Sequence, residues 1–296
     1  MITNATPLFA ARDLTVEIPG VLGERGIGLR RITLSVEPGE IVVLAGESGS
    51  GKSLLARLAA GTADPRMKIL SGSIEYEGVS VLDRKRRRLR ELRRGPITVI
   101  PPLVAAPPDP SRPVRQWLRE CRRFAGKGVR PWGDCFFSAG LHEPEAILRQ
   151  RLGDLSPLAL KRLAVARALI VGSRFLVAEE AGSDLDALGE AAFYELLGRV
   201  RDEFGIGALV STGSLRGVER FSNRIAIFFE GGILEVATPI DLITNPRFAY
   251  TREFRACGPR LGDLPCDLPT ISREAAREAE ASVHQTSSSL AGPITG

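Results

Sequence analysis

The sequence predicts an α/β fold: a mixed, mainly parallel sheet core, an antiparallel β layer beside it, and an inserted α-helical subdomain. Three observations carry that prediction. A glycine-rich turn, Gly46-Glu47-Ser48-Gly49-Ser50-Gly51-Lys52-Ser53, lies between a wholly apolar run and a helix-favouring segment. Two alternating apolar/polar segments precede the run, as half-buried strands do. Proline clusters then break the chain ahead of a long helical stretch, after which buried strands resume.

The elements follow in order. Residues 1–7 read as a loose terminus. Leu14-Thr15-Val16-Glu17-Ile18 and Ile32-Thr33-Leu34-Ser35-Val36 alternate in the manner of strands with one wet face. Glu37-Pro38-Gly39-Glu40 is a turn. Ile41-Val42-Val43-Leu44-Ala45 is apolar throughout, as a strand buried on both faces is. Residues 54–60 favour helix, and Gly61 is placed to end it. Residues 73–78 and 97–100 are further strands. Pro101-Pro102 and Pro107-Pro108-Asp109-Pro110 cannot continue a sheet. From Val114 to about Ala168 the pattern is helical, with Trp117, Leu118, Cys121 and Phe124 on one face. Its last helix opens on Ser156 as N-cap and Pro157 at the first helical position, then runs to Val171 and stops at Gly172. Residues 174–178 form a buried strand ending in Glu179-Glu180. A helix over 188–204, a strand over 208–212 and a hairpin around Glu230-Gly231-Gly232 complete the pattern. The expected division is a core over 8–100 and 169–245, a helical insertion over 101–168, and an extension over 246–269. Residues 270–296 read as a short helix or a disordered tail.

The net charge is +5 and the pI about 9.3, which raises nucleic acid as a partner. Much of the excess sits in residues 84–94, where Leu89 and Leu92 repeat at helical spacing and no aromatic is interleaved. That is the pattern of a solvated helix face, and no nucleic-acid partner is expected. No apolar run approaches the roughly 18 residues of a membrane span, and the N-terminus lacks a signal-peptide layout. The chain is expected in the cytoplasm, meeting a membrane through partners. Four widely spaced cysteines (Cys121, Cys135, Cys257, Cys266) without a CxxC pair are expected as free thiols.

The glycine-rich turn matches G-x-x-x-x-G-K-[ST] at every fixed position. Glycines let backbone N–H groups converge on phosphate oxygens, and the following helix N-terminus adds favourable partial charge. Gly46, Glu47, Ser48, Gly49, Ser50, Gly51, Lys52 and Ser53 are therefore the candidate phosphate cradle. Lys52 would reach the β- and γ-phosphates, and the Ser53 hydroxyl would ligate Mg²⁺.

The order of parts over residues 8–260 resembles the nucleotide-binding subunit of an ATP-binding cassette (ABC) transporter, in the oligopeptide, dipeptide and nickel importer branch. Val36-Glu37-Pro38-Gly39-Glu40 running into the P-loop is typical of that branch. Pro246-Arg247-Phe248-Ala249-Tyr250-Thr251-Arg252 is similar to its H-P-Y-T-[RK] segment. The resemblance implies ATP and Mg²⁺ as cofactors. It implies a second ATPase subunit closing head to tail and two transmembrane permease subunits. A solute-binding protein takes part indirectly, and the chain sits peripherally on the cytoplasmic membrane face. It assigns Glu179, where the family's Walker B carries aspartate, to Mg²⁺. Glu180 is assigned to polarising the attacking water, and Ser183-Asp184-Leu185-Asp186 to the D-loop.

Several family positions have drifted. The signature L-S-G-G-[QM] is Leu155-Ser156-Pro157-Leu158-Ala159, without either glycine. Gly213 stands where the switch histidine is expected, and Pro101-Pro102 where the Q-loop glutamine is expected. Ile18 holds the place of an adenine-stacking aromatic, able to pack on the ring without π stacking. The resemblance therefore implies an energy-coupling subunit paired with a better-equipped partner. A non-hydrolysing regulatory subunit and a soluble ABC-type protein of a multienzyme assembly remain as alternatives. The cysteines near the C-terminus, Cys257 and Cys266, lack further ligands for a zinc or iron–sulfur site.

Overall fold

The computed structural model describes residues 6–20, 25–80, 97–100, 109–122, 130–257 and 271–288. The basic run at 84–94, Pro101-Pro102 and Cys266 lie outside them.

Two sheets are packed around two buried clusters. The first is antiparallel, in the order β2-β1-β4-β5, with β1 Phe9–Pro19, β2 Arg25–Val36, β4 Lys68–Tyr76 and β5 Val79–Ser80. The alternating segments seen in the sequence are its centre, and pairing extends them: Phe9 lies opposite Val36 on one side and Tyr76 on the other. The second sheet runs β10-β9-β3-β8-β7-β6. Its strands are β3 Ile41–Ala45, β6 Ile97–Ile100, β7 Phe175–Ala178, β8 Gly207–Thr212, β9 Arg224–Phe229 and β10 Gly232–Ala237. β3 pairs in parallel with β8 and β9, and β7 with β6 and β8, while β9 and β10 form the antiparallel hairpin. All five residues of β3 are buried. The two-residue strand period sends them to opposite faces. Ile41, Val43 and Ala45 join the cluster that includes residues of the helical segment, while Val42 and Leu44 join that of the antiparallel sheet. Phe9 stacks on Phe175 at 5.8 Å between ring centroids, tying the two sheets together.

Helices cover the parallel sheet. α1 (Lys52–Ala59) follows the P-loop, and Gly61 at φ 64° turns the chain away from it. α2 (Val114–Arg122), α3 (Trp132–Ser138) and α4 (Pro144–Arg149) lie in the expected helical segment. α5 (Pro157–Val171) begins at Ser156, whose Oγ accepts from Ala159 N, and ends at left-handed Gly172. α6 (Ala187–Phe204) is capped by Asp186. α7 (Pro239–Thr244) and α8 (Ala249–Ala256) follow β10. The terminal segment, read from sequence as helix or disorder, forms helix α9 over Arg273–Ser288. Ala275, Ala279 and Val283, spaced four apart, bury one face of it. That small apolar stripe is too thin to stand out in a polar sequence, but it suffices once β10 and α8 provide a surface.

Candidate functional site

The P-loop leaves β3 at Ala45 and makes a tight arc that requires glycine at specific points. A Cβ at Gly46 (φ 155°) would fall inside contact distance of the Phe228 carbonyl oxygen and 2.9 Å from Ser50 Oγ. At Gly51 (φ 101°) it would meet Gly231 Cα and Gly28 O, each at 3.1 Å. The arc is fixed from outside by Gly231 N donating to Ser50 O at 2.9 Å and Arg30 N donating to Gly231 O at 2.8 Å. No side chain caps the start of α1. Its first N–H groups are therefore oriented for an anion. Ser50 Oγ is buried and has no hydrogen-bond partner among the described residues. A buried hydroxyl left open in a cradle of amides fits a phosphate oxygen.

Lys52 is 4% exposed. Its Nζ donates to Glu47 O at 3.2 Å and lies 3.3 Å from Glu180 Oε1. Ser53 Oγ donates to that same carboxylate oxygen at 3.1 Å. Glu180 is delivered there by a left-handed turn (φ 47°) just past β7. The turn is held by Glu180 N donating to Ser211 Oγ and Ala181 N donating to Ser211 O, both at 3.0 Å. Glu179 faces elsewhere. Its carboxylate accepts from Arg57 Nε at 2.7 Å and sits 2.5 Å from a terminal guanidinium nitrogen. The Glu179 hydrogen bond is the largest cause of a raised Arg57 pKa, ahead of an opposing desolvation.

The carboxylate beside Ser53 is thus Glu180, while Glu179, expected on the metal side, is turned to Arg57. A hydroxyl and a carboxylate oxygen are hard donors of the kind Mg²⁺ takes. Ser53 and Glu180 are therefore of the donor type that fits the metal, while the Glu179 carboxylate is engaged by Arg57. Arg57 escaped the sequence reading, although it lies four residues after Ser53 and so on the same helical face.

The other expected residues divide. Half-buried Ile18 lies against Gly28, where a Cβ would come within 2.7 Å of Ile18 Cγ2, and Gly28 O in turn faces Gly51. Ile18 is therefore next to the P-loop. Ser156 is exposed, with its hydroxyl engaged in capping α5. Gly213 is exposed and, as glycine, brings no side chain to the cluster. Residues 183–186, expected as the D-loop, are tied down at three points. Ser183 Oγ donates to Glu180 O at 3.0 Å, Asp186 caps α6, and Asp184 pairs with Lys161 of α5 at 2.8 Å. The Lys161–Asp184 pair was missed; its sequence signal is a lysine inside the otherwise apolar register of α5.

An exposed Arg57 gives a direct test of the Glu179 arrangement. Arg57→Gln is expected to cost less than about 1 kcal/mol of stability, because half-exposed ion pairs contribute little. It is also expected to tighten Mn²⁺ binding in the presence of nucleotide, measured by electron paramagnetic resonance. Unchanged Mn²⁺ affinity would show that Glu179 does not compete between the two cations.

Comparison with known proteins identifies the family. A family model described as ABC transporter matches residues 29–183, just over half of the chain. A relative from Agrobacterium fabrum, named peptidoglycan transport ATP-binding protein YejF, is 31% identical over 276 residues, covering 89% of this chain and 49% of that protein. This chain thus spans about half the length of that relative. The nickel import ATP-binding protein NikE of Escherichia coli O157:H7 is 33% identical over 210 residues, 70% of this chain and 76% of that one. Among solved structures, the dimeric ATP-binding cassette MJ0796 bound to ADP and phosphate superposes with a TM-score of 0.66 at 20% identity, over 78% of this chain and 98% of that one. CbiO1 from Clostridium perfringens gives a TM-score of 0.64 at 20% identity, over 81% and 92%. At those identities the structures speak for the fold alone, whereas the sequence matches reach further. The chain belongs to the ABC transporter family.

Proposed function

We propose that this chain is the ATP-binding, energy-coupling subunit of an importer for peptides, nickel or other metal chelates, or similar small solutes. The observation that carries the reading is the convergence of Lys52 Nζ, Ser53 Oγ and Glu180 Oε1 at the uncapped start of α1, inside a glycine arc. The relatives' names, nickel import and peptidoglycan transport, support the solute class, and membership of the family supports the partners. Those are a second ATPase subunit, two permease subunits at the cytoplasmic face of the membrane, and indirectly a solute-binding protein. No helix among the described residues is long and apolar enough to cross a membrane, so membrane attachment would come through those permeases.

In this reading the P-loop amides, the Ser50 hydroxyl and Lys52 hold the phosphates. Bound Mg²⁺ supplies charge neutralisation on the phosphate oxygens. Ser53 and Glu180 offer it oxygen donors. Glu180 is also anchored through its backbone to Ser211 and borders the D-loop, where it can orient water once Lys52 turns to phosphate.

A second reading, a non-hydrolysing regulatory subunit, is favoured by two observations. Ser156 uses its hydroxyl to cap its own helix. The exposed Gly213 offers no side chain at the position of the switch histidine. Both weaken hydrolysis without touching the cradle.

Calorimetry with MgATP tests the binding claim. Lys52→Ala is expected to weaken binding about 10- to 150-fold, the value of a hydrogen bond to a charged group. Equal affinity in wild type and variant would sink it. Glu180→Gln separates the two readings in the assembled complex: a large fall in ATPase rate supports the catalytic one, and no change supports the regulatory one.

A further inference from the structure

The segment after the β9–β10 hairpin reaches back to the P-loop. Tyr250, in the first turn of α8, is fully buried. Its ring is gripped by Phe229 of β9, edge-on at 4.9 Å, and by Phe254, parallel at 6.0 Å. Its hydroxyl donates to Glu47 Oε2 at 3.4 Å, across 203 positions of sequence. Burial is the main reason the phenol is pushed above its ordinary pKa, and the Glu47 carboxylate raises it further. The hydroxyl therefore stays protonated and remains a donor.

Glu47 is the second residue of the phosphate cradle, and its backbone carbonyl is the acceptor for Lys52 Nζ and for Ser50 N, each at 3.2 Å. Tyr250 is well fixed. The adjacent Thr251, also fully buried, donates to Glu235 of β10, and Arg247 N donates to the same carboxylate at 3.2 Å. Behind α8, Ser272 Oγ donates to Glu253 at 2.9 Å. Val283 of α9 fills the space beside Gly232. A rigid block thus ends in one hydroxyl aimed at an exposed loop residue.

We propose that Tyr250 is a positioning residue for the P-loop. By holding Glu47 it fixes the carbonyl on which Lys52 rests, so that the segment after the hairpin sets the phosphate affinity of the cradle. A buried aromatic packed between two other rings has little freedom of its own, so constraint passes from the C-terminal block to the loop. This inference rests on the ATP-binding reading.

The test uses the full chain as wild type, Tyr250→Phe, Glu47→Met and the double variant. Tyr250→Phe keeps the ring and its packing, so thermal unfolding is expected to shift by no more than a few degrees. MgATP binding by calorimetry is expected to weaken about 3- to 10-fold in each single variant, the value of one hydrogen bond. The double variant should be no worse than either, because both remove the same bond. Hydrogen exchange of the amides of residues 46–53, measured without nucleotide, should speed up in Tyr250→Phe. Unchanged exchange together with unchanged affinity, or fully additive losses, would overturn the proposal. A wild-type chain that binds no MgATP while Tyr250→Phe still loosens residues 46–53 would overturn the ATP-binding reading and leave the brace standing.

Discussion

Lys161→Met is expected to destabilise the chain by about 3–5 kcal/mol, the cost of leaving a buried charge without its partner. Lys161 is 2% exposed, and the Asp184 side chain is 10% exposed. Their 2.8 Å approach is off the hydrogen-bonding direction, and neither the ammonium nor either carboxylate oxygen has a hydrogen-bond partner among the described residues. The nearby Phe193 ring, 5.6 Å from the ammonium, adds a weak cation–π contact. Charge alone therefore balances the pair. Replacing both partners by apolar residues, Lys161→Met with Asp184→Leu, is expected to restore most of the loss, since two desolvation costs vanish together. Denaturant unfolding of the four proteins checks it. Single variants within about 1 kcal/mol of wild type would mean that water or another group reaches the pair. The pair ties the D-loop, which follows Glu180, to the helix that begins at Ser156. Under the proposed function, loosening residues 183–186 is expected to lower the ATPase rate of the assembled complex more than it lowers ATP binding.

Gly46→Ala is expected to remove most nucleotide binding and to cost about 1–3 kcal/mol, as overpacking does. The added methyl would collide with the Phe228 carbonyl, a backbone group of β9 that cannot rotate away. The arc of N–H groups must then move, and a displacement of about 1 Å is enough to cost on the order of 100-fold in a preorganised site. Gly49→Ala is the control. Gly49 also has positive φ (84°), but a Cβ there meets nothing within 4 Å. It should lose about 1–2 kcal/mol of stability from the left-handed backbone alone and retain most of its binding. Calorimetry with MgATP on both variants decides the matter; equal affinities would mean that the arc tolerates displacement at Gly46.

Much of the architecture was legible because it rests on local rules. An unbroken apolar Ile41–Ala45, only five residues long and ending at a glycine-rich turn, reads as a strand buried on both faces, and alternation in β1 and β2 marks a sheet with one wet face. Ser156-Pro157 and Gly172 bracket α5 as expected, and α6, capped by Asp186, begins at Ala187, one residue ahead of the expected start. The strands of the antiparallel layer proved longer than their alternating centres. Pairing partners stabilise end residues that carry no pattern of their own, such as Arg25 and Gly26 opposite Pro19 and Ile18.

The site divides in the same way. The sequence by itself determined the cradle, since the glycines, Lys52 and Ser53 act within one turn and one helix start. Where the two acids after β7 point was decided by tertiary structure. Adjacent residues at a strand end face opposite ways, and the left-handed turn at Glu180 rotates its carboxylate onto Lys52 and Ser53 while Glu179 meets Arg57. Tyr250 on Glu47 and Lys161 on Asp184 were decided likewise. Those partners are far apart in the chain, and their choice depends on which surfaces the packed sheets and helices bring together.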